Sequence, residues 1–275
     1  MKKPILIILK KITYLILNPI YKNNKFHYVN PSILGGLIDL IYLSTQKVNF
    51  NIIIDPFELF KKNKSINILI FKIAYINIKK KKINYFLNFI YYLYYRSNLN
   101  TNNLDKIKIK GFIHANKTVH ESLSNQKEIY FDKNLNQSKN KEINNFLNKK
   151  FLLFSCRDSA YKKKTSKIDN SYHSYRNETL SIYEDALSPF SNKFNIIRFG
   201  SVAEKKCEKS DIFDYTHSKF RNQENDLILM KKCQIYIGTW SGPDILALNF
   251  NKPTVYTNAI NLPWIYTFKN QTICI

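Results

Sequence analysis

Glycine is scarce in this sequence, with only six among 275 residues. Two of them, Gly200 and Gly238, directly follow apolar segments predicted as strands, and none falls inside a predicted helix of the second half. A glycine at a strand end lets the backbone approach a ligand closely. The few glycines therefore indicate that loops at strand ends are the first places to look for a site.

Cysteine is also rare, and its spacing excludes the common zinc motifs. The four cysteines lie far apart, form no CxxC pair and have no histidine at metal-ligand spacing: Cys156, Cys207, Cys233 and Cys274. Reduced, buried thiols in a cytosolic protein are the expected state.

Several well-known catalytic motifs are missing. The sequence has no GxxxxGKS/T loop, no GxGxxG, no HExxH and no GxSxG nucleophile elbow. It also lacks an Asp-x-Asp pair of the kind that holds a divalent ion on a nucleotide sugar. We therefore expect a mechanism without a metal site and without a cofactor.

Long hydrophobic runs are missing too. No stretch reaches the roughly 18 apolar residues that a membrane-spanning helix needs. The longest candidate, residues 83–95, contains two asparagines and ends at Arg96. After Lys2 and Lys3, an apolar run of only six residues precedes Lys10, and no small-residue cleavage site follows, which argues against a secretory signal. We expect a cytoplasmic protein without a transmembrane helix.

Acidic residues are few: 20 Asp and Glu stand against 43 Lys and Arg, for a formal net charge of +23. Residues 1–150 hold 26 basic and 8 acidic residues, or +18 of that charge. This asymmetry indicates an anionic partner for the first half: a membrane surface, a nucleic acid or an acidic acceptor. The composition bias of an AT-rich genome would produce the same excess of lysine. Nucleic acid is not expected, because the lysines are scattered among asparagines rather than grouped on one face.

The first segment of the chain has the pattern of a basic amphipathic helix. At helical spacing, six apolar residues share one face, while Lys10 and Lys11 lie away from it: Ile5, Ile8, Leu9, Ile12, Leu15 and Ile16. Two interpretations remain open. The helix could lie on the surface of an anionic membrane as a peripheral contact, or its apolar stripe could pack on the domain.

Strand and helix patterns alternate in the second half of the chain. Apolar runs predict strands at 151–156, 194–199, 235–237 and 254–256, and helical patterns cover 178–189 and 226–233. Such alternation favours a parallel, doubly wound sheet in an α/β domain. The 44% of hydrophobic residues are enough to bury a core.

The first half is also predicted to be α/β, with strands at 50–55 and 66–73 and a buried helix at 83–95. An Asn-rich, weakly patterned segment at 134–145 marks the boundary between two halves of similar size. Two α/β domains facing a cleft are expected. The predicted domains are residues 1–145 and 146–275.

The most informative stretch runs from the strand at 235–237 through a small-residue loop into a helix. Gly242 leaves room for a ligand, and Pro243 fits the first helical turn, where its missing N–H costs nothing. The helix start then offers Ser241 Oγ and free N–H groups to an anion such as a phosphate. The alternative is a glycine-lined turn that binds nothing.

Other polar residues follow predicted strands, at the edge where ligands bind in parallel sheets. Arg157 could fork onto a diphosphate, or pair with Asp158. Asp158 could orient Arg157, hold a sugar hydroxyl, act as a base or cap a helix. His173 and His217 are weaker acid/base candidates. The remaining candidates for donor binding are Arg176, Asn177, Gly200, Ser201, Asp214, Tyr215 and Thr239, although Asn177 and Asp214 also suit helix caps.

Taken as an ordered series, these motifs resemble those of a bacterial family of glycosyltransferases. The series is CRDSAY at 156–161, YRN at 175–177, IIRFGS at 196–201, DYTHS at 214–218 and IGTWSGPDILALNFNKP at 237–253. The resemblance implies a GT-B architecture, with two Rossmann-like domains around a cleft and the nucleotide-sugar donor on the second domain. The sequence departs from that family in two places. The turn Gly35-Gly36-Leu37 resembles a Gly-His-Leu turn of the family, with Gly36 in place of the His, and the chain ends at Ile275, soon after a strand.

These features together predict a metal-independent glycosyltransferase. It would move a sugar from a nucleotide diphosphate sugar to a hydroxyl of a cell-surface glycan or a lipid-linked acceptor. Arg157 and the Ser241-Gly242 helix start would stabilise the departing diphosphate. A base would come from the first domain or from Asp158. The alternative is a non-catalytic protein that binds glycans or anions and keeps the fold with a degraded site, an interpretation that Gly36 supports.

Overall fold

The computed structural model describes residues 2–21, 26–29, 51–54, 56–57, 84–98, 137–165, 171–239, 241–258 and 272–274. The chain divides into two compact units. The first is Met1–Lys62 with Phe71–Leu123, and the second is Asn63–Ile70 with Ser124–Ile275. The boundary predicted at residue 145 falls inside the helix Lys141–Leu147 of the second unit.

In the described residues of the first unit, the chain forms two helices and two strands: α1 (Lys2–Tyr21), β1 (Phe26–Val29), β2 (Asn51–Ile54) and α2 (Tyr85–Asn98). The two strands pair in parallel. Asn88 of α2 continues the hydrogen bonding of β2, because its Oδ1 accepts from Ile54 N–H at 2.9 Å and its Nδ2 donates to Ile54 O at 2.7 Å. The strand predicted at 66–73 and the turn around Gly36 lie outside the described residues.

The predicted N-terminal helix is present, but the four residues of its apolar stripe whose side chains the structure describes do not pack on the unit. Tyr14 and Leu17 contact the core around Ile53, and Asn18 Oδ1 accepts a hydrogen bond from Tyr94 Oη at 3.0 Å. The stripe lies on another face, and its described side chains are exposed: Ile8, Ile12, Leu15 and Ile16. Packing against the domain is therefore the wrong interpretation for these four residues. No helix in the described part of the chain meets the length and hydropathy that crossing a membrane requires.

The second unit confirms the predicted α/β class and the parallel sheet. Six strands form it: β3 (Phe151–Ser155), β4 (Asn195–Arg198), β5 (Ile212–Asp214), β6 (Ile235–Gly238), β7 (Thr254–Tyr256) and β8 (Thr272–Cys274). Every neighbouring pair is parallel, and the order is β5-β4-β3-β6-β7-β8. The chain builds outward from β3 to β5, then returns to place β6 on the other side of β3. This is the order 3-2-1-4-5-6 of doubly wound sheets that bind dinucleotides.

The helices described in this unit are α3 (Lys141–Leu147), which precedes β3, and four that follow strands: α4 (Ala160–Thr165), α5 (Leu180–Leu187), α6 (Gln223–Lys232) and α7 (Gly242–Asn249). Short 3-10 turns are at Ser171–Arg176, Ser188–Phe190 and Tyr215–His217. The central strand β3 is buried along its whole length, as expected for a parallel sheet covered on both faces. Leu152 and Phe154 point to one face, where Leu180, Tyr183 and Leu187 of α5 cover them.

A second apolar layer comes from α6 and α7, which pack on each other. The middle of α6 is buried from Asn225 to Met230, and its ends carry the charges that suit a helix dipole. Asn222 begins the helix by accepting the N–H of Asn225 at 2.8 Å. Because all six strands are parallel, their carboxyl ends lie along one edge of the sheet. The loops described next project from that edge.

Candidate functional site

The candidate site lies at the carboxyl edge of the sheet, between β3 and β6. Arg157, Gly200 and Gly238 all fall at carboxyl ends of parallel strands, as predicted. Connections from β3 and β6 leave in opposite directions because the strand order reverses there, and such a switch point opens a crevice for ligands. Ser155 and Gly238 are register partners, so the loops that carry Arg157 and Ser241 begin side by side.

The segment that contains Arg176 and Asn177 crosses this switch point. On one side Glu178 N–H donates to Arg157 O at 3.0 Å. On the other, Asn258 Nδ2 donates to Tyr175 O at 2.9 Å and to Glu178 Oε1 at 3.2 Å. Because β6 lies between β3 and β7 in the sheet, a segment tied to both neighbours passes over the end of β6.

The crossing segment places Arg176 close enough to Arg157 for their charges to interact. Burial, followed by the positive charge of Arg176, lowers the pKa of Arg157 to about 10. Arg176 also acts on the carboxyl group of Asp244 in the first turn of α7, where its charge favours the ionised form. Arg157, Arg176 and the start of α7 therefore share one electrostatic neighbourhood. Two partly desolvated cations beside a helix N-terminus form a region of positive potential that suits an anion.

Asp244 fixes the loop after β6 by accepting two hydrogen bonds. Its Oδ1 accepts a hydrogen bond from Tyr236 Oη at 2.7 Å, and its Oδ2 accepts from Ser241 N–H. Burial raises the pKa of Asp244 to about 7, and these hydrogen bonds and the charge of Arg176 act in the opposite direction. A Cβ on Gly238 would lie 2.5 Å from both Asp244 Oδ1 and Tyr236 Oη. The sequence suggested Gly238 for ligand approach, and the structure shows that it makes room for this internal carboxylate.

Several polar side chains in the loops at this edge have unsatisfied atoms, and Thr239 and Asn177 are two of them. Thr239 is fully buried, and Asn177 lies in the crossing segment. Thr239 Oγ1 and Asn177 Oδ1 are buried and have no hydrogen-bond partner within the part of the chain that the structure describes. Buried polar atoms without partners are uncommon and costly, so they mark places where a ligand or water completes the bonding. Both residues were predicted as donor-binding.

Asp158 has protein partners for both carboxylate oxygens. Oδ1 accepts from Ala160 N–H at 2.9 Å at the start of α4, and Oδ2 accepts from Glu204 N–H at 2.8 Å. Arg198 Nη2 lies 4.0 Å from Oδ2. These contacts match the helix-capping alternative and tie the loop after β3 to the loop after β4. A role as catalytic base stays a prediction.

Arg198 connects the loops at the other end of this edge and was not among the predicted site residues. It is buried on β4, its Nη1 donates to Lys205 O, and the same nitrogen lies 3.4 Å from Asp214 Oδ2. Asp214 also accepts from Cys207 N–H at 3.0 Å and contacts His217 Nδ1 at 2.8 Å. Burial raises the pKa of Asp214, but these hydrogen bonds and charges outweigh it and leave the pKa below its ordinary value.

Tyr215 and Gly200 also make hydrogen bonds that hold loops at this end of the edge. Tyr215 Oη is buried and donates to Asp226 Oδ1 at 2.8 Å, and burial raises the pKa of Tyr215 far above its ordinary value. Gly200 O accepts from Arg221 Nε at 2.9 Å. The predicted site residues thus fall into two groups. One surrounds the switch point: Arg157, Arg176, Asn177, Thr239, Ser241 and Gly242. The other supports neighbouring loops through hydrogen bonds: Asp158, Gly200, Asp214 and Tyr215. Ser201 directly follows Gly200 in the chain.

The sequence held partial signals for the residues that were missed. Arg198 interrupts an apolar strand, and a charge inside a buried strand needs a partner. Asp244 stands three positions after Ser241, the spacing of a capping box. Asn258 gave no signal, because its role depends on a contact 80 residues away. His217 is engaged on both ring nitrogens, by Asp214 and by Ala203 O at 3.2 Å.

Comparisons with known proteins identify no relative. No family model matches the chain, and no curated protein and no solved structure matches it. The resemblance to bacterial glycosyltransferases therefore rests on the motif series alone. Within the described residues, no group of three or more His, Cys, Asp or Glu side chains is arranged to hold a metal ion.

Proposed function

We propose that this chain is a glycosyltransferase that binds a nucleotide diphosphate sugar at the switch point and passes the sugar to a hydroxyl acceptor. One observation carries the proposal: Arg157 follows β3 at the switch point of the parallel sheet, and the segment of Arg176 is hydrogen-bonded to the Arg157 carbonyl through Glu178 N–H, so that the charge of Arg176 acts on Arg157 and on Asp244 of α7. A diphosphate is the ligand that fits two guanidinium groups and a helix N-terminus.

The proposed chemistry follows from where negative charge develops. As the glycosidic bond breaks, the diphosphate leaves with the bonding electrons, and its charge must be stabilised in place. Arg157 and Arg176 are half-buried, so their charges are less screened than in water. Donors that are already positioned for the leaving group supply the largest electrostatic share in such reactions. The proposed mechanism is metal-independent because these two cations take the role of a divalent ion.

The proposal includes a GT-B arrangement, in which two Rossmann-like domains face a cleft and the first unit receives the acceptor. The parallel pairing of β1 and β2 supports an α/β first unit. The acceptor would be a cell-surface glycan or a lipid-linked precursor. Since both carboxylate oxygens of Asp158 already accept backbone hydrogen bonds, a base from the first unit fits the acceptor better.

A second candidate is a non-catalytic protein that binds glycans or anions. Its support is that Asp158, Asp214 and Asp244 each accept hydrogen bonds from the protein itself. None of these three carboxylates is positioned as a free base. Binding of a nucleotide sugar with no transfer and no hydrolysis would favour this candidate over the enzyme.

The experiment that tests the proposal measures turnover. Purified chain is incubated with UDP-, GDP-, ADP-, dTDP- and CMP-linked sugars, with and without glycan and lipid-linked acceptors, and released nucleotide is quantified. We expect release with at least one donor and its loss in Arg157→Ala. Arg96→Ala, which changes an exposed arginine of α2, is the matched control. If no donor is turned over and none binds, the proposed function is wrong.

A further inference from the structure

The outward face of α1 is a continuous apolar surface. Five side chains on it are between 47% and 69% exposed: Ile8, Ile12, Leu15, Ile16 and Ile20. At 3.6 residues per turn they cover an arc of roughly 140° along almost four turns of helix. Single exposed apolar residues are ordinary on a protein surface, but a grouped set of this size marks a place of interaction.

The opposite side of α1 packs on the first unit. Tyr14 and Leu17 pack on the core around Ile53, and Asn18 accepts the hydrogen bond from Tyr94. The orientation of α1 is therefore set by internal contacts, which leave the five-residue face outward. The face cannot turn inward without breaking those contacts.

Charge identifies what this face meets. The first 38 residues contain six lysines and no Asp or Glu. Lys11 is exposed and lies outside the apolar face, but it is three residues after Ile8 and four before Leu15 and so is next to both on the helix surface. Two copies of the chain that joined through this face would bring their lysines together without an acidic residue of the segment to offset them. An anionic membrane accommodates both features, because its acyl chains can bury the apolar face and its headgroups attract the lysines.

We propose that α1 docks the protein on a membrane rich in anionic phospholipids. The helix would lie in the interface plane, with Ile8, Ile12, Leu15, Ile16 and Ile20 among the acyl chains and Lys11 at the headgroups. This surface belongs to the first unit, whereas the switch point belongs to the second. The proposal does not depend on sugar transfer.

The helix that packs on α1 has the same combination of features. In α2, Phe86 is 75% exposed, Phe89 and Leu93 are also exposed, and Arg96 follows them. Four consecutive lysines precede it in the sequence, at residues 79–82. Lysine clusters beside exposed aromatic residues are a further mark of helices that bind anionic interfaces.

The test is sedimentation of the full chain with vesicles. One set contains phosphatidylcholine alone, and the other adds about a third of phosphatidylserine. Ile12→Gln with Ile16→Gln removes apolar area without changing charge, and Lys10→Gln with Lys11→Gln removes charge without changing the apolar face. Ile182→Gln with Phe190→Gln is the matched control, because these residues of the second unit are similarly exposed, at 57% and 47%.

We expect the parent and the control to bind the anionic vesicles and to bind phosphatidylcholine weakly. The apolar variant should partition about ten-fold less, since two buried isoleucines are lost, and the lysine variant should lose binding that is sensitive to salt. Circular dichroism confirms that each variant is folded. Equal binding by all variants would overturn the proposal. It is also wrong if the apolar variant changes the oligomeric state but not vesicle binding, because the face would then join copies of the chain.

Discussion

Tyr236 and Asp244 are joined by a 2.7 Å hydrogen bond from the phenol to Oδ1, which ties the strand before the candidate site to the helix behind it. Asp244 also accepts the N–H of Ser241. One buried carboxylate therefore fixes the path of the loop that presents Ser241 and Gly242. The arrangement explains why β6 ends in a glycine, since any side chain there would occupy the space of Asp244.

Gly238→Ala should destabilise the second unit. The added Cβ would lie 2.5 Å from Asp244 Oδ1 and from Tyr236 Oη, both fully buried, so one must move. We expect a loss of about 1–3 kcal/mol in the free energy of unfolding, the range for overpacked cores. Gly200→Ala is the control, because its Cβ would meet Thr216 Oγ1 at 3.2 Å and a small shift relieves it. Urea denaturation measures both, and equal losses would contradict this account of Gly238.

Asp244 should make the protein less stable as pH rises from about 4 to 7. Its pKa is raised to about 7 in the folded state from an ordinary value of 3.8, so the folded protein holds a proton that the unfolded chain has released. Stability from this group is present at low pH and is lost as pH rises through that window. Asp244→Asn should flatten the decline relative to the parent, as measured by thermal unfolding at several pH values. Glu142→Gln is the control, and a parallel decline in parent and Asp244→Asn would contradict the prediction.

Arg198→Met should be strongly destabilising. The guanidinium is 2% exposed and lies close to the carboxylates of Asp158 and Asp214, which would lose their cation while remaining partly buried. Removing one partner of a buried ion pair costs about 3–5 kcal/mol. Arg96→Met at an exposed position should change the free energy of unfolding by less than about 0.5 kcal/mol. An Arg198→Met protein with the stability of the parent would show that this cluster does not hold the loops.

Gly242→Val should prevent the binding of a nucleotide diphosphate. The residue is at the first position of α7, where a branched side chain would project into the space that the proposed phosphates occupy. Gly242→Ala should weaken binding less, since it adds one methyl group. Circular dichroism checks folding, and calorimetric titration measures affinity. Binding by the valine variant that equals the parent would place the phosphates elsewhere.

The fold of the second unit could be predicted from the sequence because its information is local. Buried strands such as β3 are continuous apolar runs, and the pattern predicted at 178–189 corresponds to α5 and the 3-10 turn that follows. The prediction missed β5, which has three residues and only one that is buried. It also began the helix at 226, whereas α6 begins at Gln223, because the residues after the Asn222 cap are polar.

The candidate site was only partly predictable. The sequence indicates which residues follow strands, but it does not show which of those residues are in contact. The sequence placed Arg157 and Ser241 on one edge, and the parallel sheet confirms that edge. It did not show that the segment with Arg176 crosses from β3 to β7, since the hydrogen bonds of Asn258 set that path. Nor did it show that Asp214 and Tyr215 are engaged by neighbouring loops.

The central claim is that Arg157 and Arg176 together form an anion site, and a double-mutant cycle of calorimetric titrations tests it most directly. The donor that binds the parent best is titrated into Arg157→Ala, Arg176→Ala, the double variant and the Arg96→Ala control. We predict that each single variant of the pair loses about 1.5–3 kcal/mol of binding free energy, the range for a hydrogen bond to a charged group. The double variant should lose less than the sum, because the two cations act on one ligand. Unchanged affinity in Arg157→Ala and Arg176→Ala, in folded proteins, would contradict the account.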